Sequence, residues 1–174
     1  MENAPSPMRI PLLVPDLPTT DELLPWWQRI DKNRWYTNFG PLVLEFESAL
    51  TRYLSSRPSG SSQEEISLTT VSSGTAAIEL AVLALALPES SRVLLPAFTF
   101  PATCTAIQRA GLRPVFSDVD EKNWMLTPAI ARAVLRHSRY DLVVPVATFG
   151  CPQPASEWDE FSRETGIPVL IDAA

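Results

Sequence analysis

The sequence predicts a three-layer α/β domain built on a mostly parallel sheet. Two observations carry this reading. A unit of strand, turn and helix recurs from residue 66 onward, and the strand candidates are almost continuously apolar rather than alternating. Strands covered on both faces have that pattern, and the helices between them supply the covering layers. The candidate strands are Ile66–Ser72, Arg92–Pro96, Pro114–Asp118, Leu142–Ala147 and Pro168–Asp172. The helices expected between them are Thr75–Leu87, Pro101–Ala110, Thr127–His137 and Ala155–Thr165.

Residues 1–65 read differently, as an N-terminal helical segment preceding the α/β part at 66–174. The first 15 residues are proline-rich and expected to be extended. A helix is predicted over Asp21–Asn33 behind a Thr19-Thr20 cap, with Pro25 in its first turns, where proline is tolerated. Tyr36–Gly40 reads as a loop. Pro41 opens a second helix carrying Val43, Phe46, Leu50 and Tyr53 at helical spacing. Arg57–Glu65, polar and holding Pro58 and Gly60, reads as a second loop.

Composition narrows the function. The 174 residues are 45% hydrophobic and 20% charged, with a formal net charge of −6 and a pI of about 4.8. A surface of that sign does not attract nucleic acid or anionic membrane in general, although local groups can still hold a small anion. The longest apolar run, Ala76–Leu87, contains Glu79 and falls short of the roughly 20 residues a membrane span needs. The opening residues lack the pattern of a signal peptide. Two cysteines, Cys104 and Cys151, fit a reducing compartment, so a cytoplasmic protein is expected.

In parallel sheets ligands gather at the carboxyl ends of the strands. Ser72-Ser73-Gly74-Thr75 stands between a candidate strand and a helix. Free N–H groups and the helix dipole there suit a phosphate, although a plain capped turn has the same sequence. Neither G-x-x-x-x-G-K-[ST] nor G-x-G-x-x-G occurs. Phe98-Thr99-Phe100 follows the second strand; one ring can support a flat heterocycle while the other packs inward. Val169-Leu170-Ile171-Asp172 ends in a carboxylate. That group suits a protonated pyridine nitrogen, a Mg²⁺ ion or an ordinary turn.

Taken in order, Ser-Gly-Thr-Ala, Pro-Ala-Phe-Thr-Phe, Pro-Val-Phe-Ser-Asp-Val-Asp and Asp-Ala-Ala at a strand end resemble the DegT/DnrJ/EryC1/StrS sugar aminotransferases. The resemblance runs from about Ile10 to Ala174, and Tyr36–Pro41 before Glu45-Phe46-Glu47 resembles that family's N-terminal segment. It implies a fold-type I large domain that binds pyridoxal 5'-phosphate. Ser73, Gly74 and Thr75 would hold the phosphate, Phe100 would stack on the ring, and Asp172 would pair with the ring nitrogen. Thr37, Asn38 and Gly40 would line the substrate site. The implied partners are a nucleotide-sugar and an amino-acid donor, typically glutamate, with no nucleic acid and no membrane, in a homodimer. Asp118 and Asp120 match the family pattern but read as a structural turn.

The resemblance also marks departures. The family's Schiff-base lysine lies well downstream of Asp-Ala-Ala, and the chain's two lysines, Lys32 and Lys122, are in the wrong places and expected to be solvated. The sequence therefore holds no catalytic residue of that kind. The large domain is expected to be incomplete here, with its C-terminal part and the small domain missing, and the piece alone inactive. Ala147 stands where the family commonly has a histidine, and the single histidine, His137, reads as a solvated helix end. A sugar dehydratase of the same family, with histidine replacing the lysine, and a non-catalytic cofactor-binding relative are the alternatives.

Overall fold

The computed structural model describes residues 11, 14–56 and 66–174. They form two compact units, one of the described residues up to 56 with 66–68, the other of 69–174. The 57–65 loop, and the proline-rich opening apart from residues 11, 14 and 15, lie outside the described residues.

The second unit carries a parallel sheet. Strands β1 (Arg92–Pro96), β2 (Arg113–Ser117) and β3 (Leu142–Val143) run in the order β2-β1-β3. Residues 168–172 extend the sheet past β3 through parallel bridges at Val143–Val169 and Val146–Asp172. The central strand shows why its sequence is continuously apolar. Val93 and Leu95 face a core shared with Ile78 and Val82 of helix α3 (Gly74–Ala84) and Ala106 and Ile107 of α4 (Pro101–Arg109). Leu94, between them, faces the opposite core, with Ala131 of α5 (Pro128–Leu135) and Trp158 and Phe161 of α6 (Ala155–Thr165). Alternation along one strand thus serves two buried layers, and the predicted three-layer architecture stands.

Several predicted elements need correction. Residues 66–72 form no strand. Only Ile66, Leu68 and Val71 of its seven residues are apolar; strand geometry also needs a neighbour to complete the ladder, and no strand among the described residues pairs with it. Leu142–Ala147 shortens to two strand residues, and 168–172 pairs only at the two bridges. Helices α3 and α5 stop at Ala84 and Leu135, short of the expected ends at Leu87 and His137.

The first unit has two helices, α1 (Thr20–Asn33) and α2 (Pro41–Ser55). Thr19 caps α1 in a reciprocal box: its hydroxyl accepts from the Glu22 N–H, and its own N–H donates to the Glu22 carboxylate. That N–H, together with the Thr19 hydroxyl, which also donates to the carboxylate (2.8 Å), lowers the pKa of the Glu22 carboxyl. Neither helix buries a residue, and the expected apolar stripe of α2 leaves Phe46 and Tyr53 more than half exposed.

Candidate functional site

A cavity of about 340 Å³ opens at the carboxyl ends of β1 and β3. Its walls are the turn after β1 (Phe98, Thr99, Phe100, Pro101) and the segment after β3 (Val146 to Phe149), with Ala174 beside them. The chain leaves β1 to form β2 on one side and later returns to form β3 on the other. The connections diverge there, which is where a doubly wound sheet leaves a crevice.

Asp172 stands behind this cavity and is 7% exposed. Its N–H donates to the Pro145 carbonyl (2.9 Å) and its carbonyl accepts from the Ala147 N–H (2.8 Å), so the sheet fixes its backbone. The carboxylate accepts the Thr103 hydroxyl at Oδ2 (2.7 Å) and the Ala174 N–H at Oδ1 (3.1 Å). The Thr103 proton is committed to the carboxylate, so Thr99, 2.9 Å away, is the donor between the two hydroxyls. An ordered chain therefore runs from the cavity wall at Thr99 through Thr103 to Asp172. An ionised carboxylate has about four acceptor positions, and these contacts fill two.

At the start of α3 the Ser73 side chain accepts from the Ala76 N–H (3.1 Å), so this hydroxyl serves as the helix cap. Gly74 and Thr75 are the first helical residues, whose N–H groups have no carbonyl within the helix to meet. A Cβ on Gly74 would come within 3.2 Å of the Ala174 Cβ, which places this helix end against the cavity's Ala174 edge.

The two phenylalanines after β1 depart from expectation, because neither enters a core. Phe100 is 79% exposed on the cavity wall. Phe98 packs edge-on against Trp124 (5.4 Å between ring centroids) and Phe149 (5.9 Å). Asp118 and Asp120 act as turn residues: Asp118 accepts from the Val119 N–H, and Asp120 from the N–H groups of Lys122 and Asn123. Lys32, Lys122 and His137 are exposed, and no lysine lines the cavity.

Thr37, Asn38 and Gly40 belong to the first unit. Gly40 precedes α2 and is buried; a Cβ there would meet the Trp35 ring at 3.2 Å. The Asn38 carbonyl accepts from the Trp35 indole N–H (3.1 Å). Thr37 and Gly40 line a hollow of about 280 Å³ with Trp27, Ile30 and Trp35, whereas Asn38 does not.

The sequence reading passed over Thr103, Trp124 and the Phe149 side chain. Thr99 and Thr103, four apart at a helix start, can share one helix face, but nothing in the sequence places them beside Asp172, 69 residues beyond Thr103. Trp124 carried no signal either, because only folding brings its loop beside Phe98 and Phe149.

The residues present suit a flat, phosphorylated pyridine. The set offers a buried carboxylate for a ring N–H, an exposed aromatic ring for a face, and unmatched helix N–H groups for a phosphate.

A model of the DegT/DnrJ/EryC1/StrS aminotransferase family matches residues 19–174. The chain is 32% identical to Protein Rv3402c of Mycobacterium tuberculosis, over 95% of this chain and 40% of that protein. It is 30% identical to the dTDP-4-amino-4,6-dideoxy-D-glucose transaminase of Escherichia coli, over 95% of this chain and 41% of that protein. Among solved structures it resembles NtdA of Bacillus subtilis, crystallised with the cofactor PMP, with a TM-score of 0.75 and 26% identity. That match covers 95% of this chain and 37% of the other. The chain thus spans about two fifths of the length of the curated relatives it matches.

Proposed function

From the chain's membership of the DegT/DnrJ/EryC1/StrS aminotransferase family, we propose that it forms the cofactor-facing part of a pyridoxal phosphate-dependent aminotransferase. The amino group passes from an amino acid, glutamate, to a keto-sugar linked to a nucleotide. The protein is cytoplasmic and works as a homodimer, with Thr37, Asn38 and Gly40 as substrate contacts.

The observation that carries this reading is the held carboxylate of Asp172, backed by Thr103 and Ala174 behind an aromatic-walled cavity. When bound, the cofactor supplies an electron sink for moving an amino group. Asp172 keeps the ring nitrogen protonated, and Thr103 and Ala174 hold the carboxylate still while it does so. Phe100 covers one face of the ring. The N–H groups of Gly74 and Thr75 receive the phosphate, and Ser73 keeps that helix end in shape. Gly74 matters because a side chain there would crowd Ala174.

Pyridoxamine 5'-phosphate is the suitable probe, since it binds without a covalent link to the protein. Calorimetric titration of the chain is expected to give saturable binding. Asp172→Asn should weaken it roughly tenfold or more, the scale of one charge-assisted hydrogen bond. No saturable heat, or an Asp172→Asn chain that binds as tightly as the parent, would sink the reading.

A further inference from the structure

We propose that Phe149, backed by Trp124 and Phe98, forms the wall that receives the acceptor's sugar ring, and that this wall selects an uncharged ring over a uronate. The inference rests on the cofactor reading above and names the substrate class at the same cavity.

Three observations carry it. The first is charge. Among the described residues, the nine that line the cavity include no Asp, Glu, Lys, Arg or His. Its only side-chain hydroxyls, Thr99 and Thr148, are already engaged, Thr99 with Thr103 and Thr148 with the Trp124 carbonyl (3.2 Å). A carboxylate drawn from water against this wall would find no cation and no free hydroxyl among the described lining residues, and an unpaired charge in such a place is strongly disfavoured.

The second is shape. The rings of Phe98, Trp124 and Phe149 lie 5.4 to 6.1 Å apart between centroids, and Phe149 still leaves 84% of its surface open. Such a surface suits the C–H face of a saturated ring, which gains apolar burial against the electron-rich aromatic face.

The third is strain. Phe149 (φ 52°) and Trp124 (φ 59°) both occupy the left-handed region, where bulky residues are rare outliers. Each such residue is destabilising, and persists only where surrounding structure enforces it. At Trp124 the turn itself holds the backbone, its N–H donating to the Asp120 carbonyl (2.8 Å); around Phe149 the Gln153 side-chain amide donates to the Val146 carbonyl (2.6 Å) and accepts from the buried Trp158 indole (2.9 Å). The loop is tied to α6 while the phenylalanine it carries stays outside both cores. A ring held in a strained conformation and left uncovered is positioned for a ligand rather than for packing.

The test uses the chain saturated with pyridoxamine 5'-phosphate and two probes that differ only at C6, UDP-glucose and UDP-glucuronate. UDP-glucose is expected to bind at least tenfold more tightly. Phe149→Arg should reverse that order by supplying a cation. Phe149→Gly should weaken UDP-glucose about tenfold while raising Tm by about 2–4 °C as the backbone strain is released, which separates loss of the wall from loss of the fold. Equal affinity for the two sugars, or no binding of either, overturns the wall and leaves the cofactor reading standing. Failure of pyridoxamine 5'-phosphate to bind at all removes both.

Discussion

The helices of the two units end up in opposite conditions. In the second unit, α3 to α6 close over a sheet, and Val93, Leu94, Leu95 and Phe161 lose all contact with water. In the first, α1 and α2 bury nothing, and Trp26, Trp27, Phe46 and Tyr53 are each at least half exposed. A helical stripe states that a face is to be covered; it does not state by what. The sheet supplies the cover in the second unit, so side-chain truncation there should be felt far more strongly.

The largest expected effect sharpens that contrast. Leu94→Ala removes a fully buried side chain from the central strand and should destabilise the protein by about 3 kcal/mol. Phe46→Ala, from a side chain 56% exposed, should cost under about 1 kcal/mol. Urea unfolding of both variants checks this, and equal losses would erase the distinction between the units.

A second prediction tests burial in the second unit through pH. Tyr140 is 3% exposed and donates its hydroxyl to the Ala131 carbonyl (2.8 Å). Desolvation pushes its pKa up to about 12, against a smaller opposing pull from the Arg132 guanidinium. The folded state therefore keeps the proton where the unfolded chain releases it. The contribution is intact below pH 10 and is lost as pH rises from 10 to about 12, by up to about 3 kcal/mol. Comparing alkaline unfolding of the parent with Tyr140→Phe isolates it: the variant should lose about 1 kcal/mol at neutral pH and show a flatter fall above pH 10.

The smallest effect belongs to the first unit. Thr19→Ala breaks the capping box and should cost about 1 kcal/mol of local helix stability. Amide exchange should quicken in α1 and stay unchanged in β1. A quickening that spreads through the sheet would break the separation drawn above.

Much of this was legible beforehand, for identifiable reasons. The Thr19 cap, the Pro41 and Pro101 helix starts and the span of β1 depend on a few neighbouring residues, and they appear where expected. The strand expected at 66–72 failed because local composition, here three apolar residues in seven, cannot specify a hydrogen-bonding neighbour. Phe98 and Phe100 defeated the expectation that one would turn inward, since both flank a cavity assembled by segments far apart in the chain.

Local pattern was therefore enough for the layer architecture, the helix starts, Gly74 among them, and the placing of Phe100 and Asp172 at the sheet's carboxyl edge, because period, caps and turns act within a few residues. The bond from Thr103 to Asp172 spans 69 residues, and the meeting of Phe98, Trp124 and Phe149 joins three separate loops. Those arrangements came from packing, since contacts of that range exist only once the sheet has set the distance between its ends.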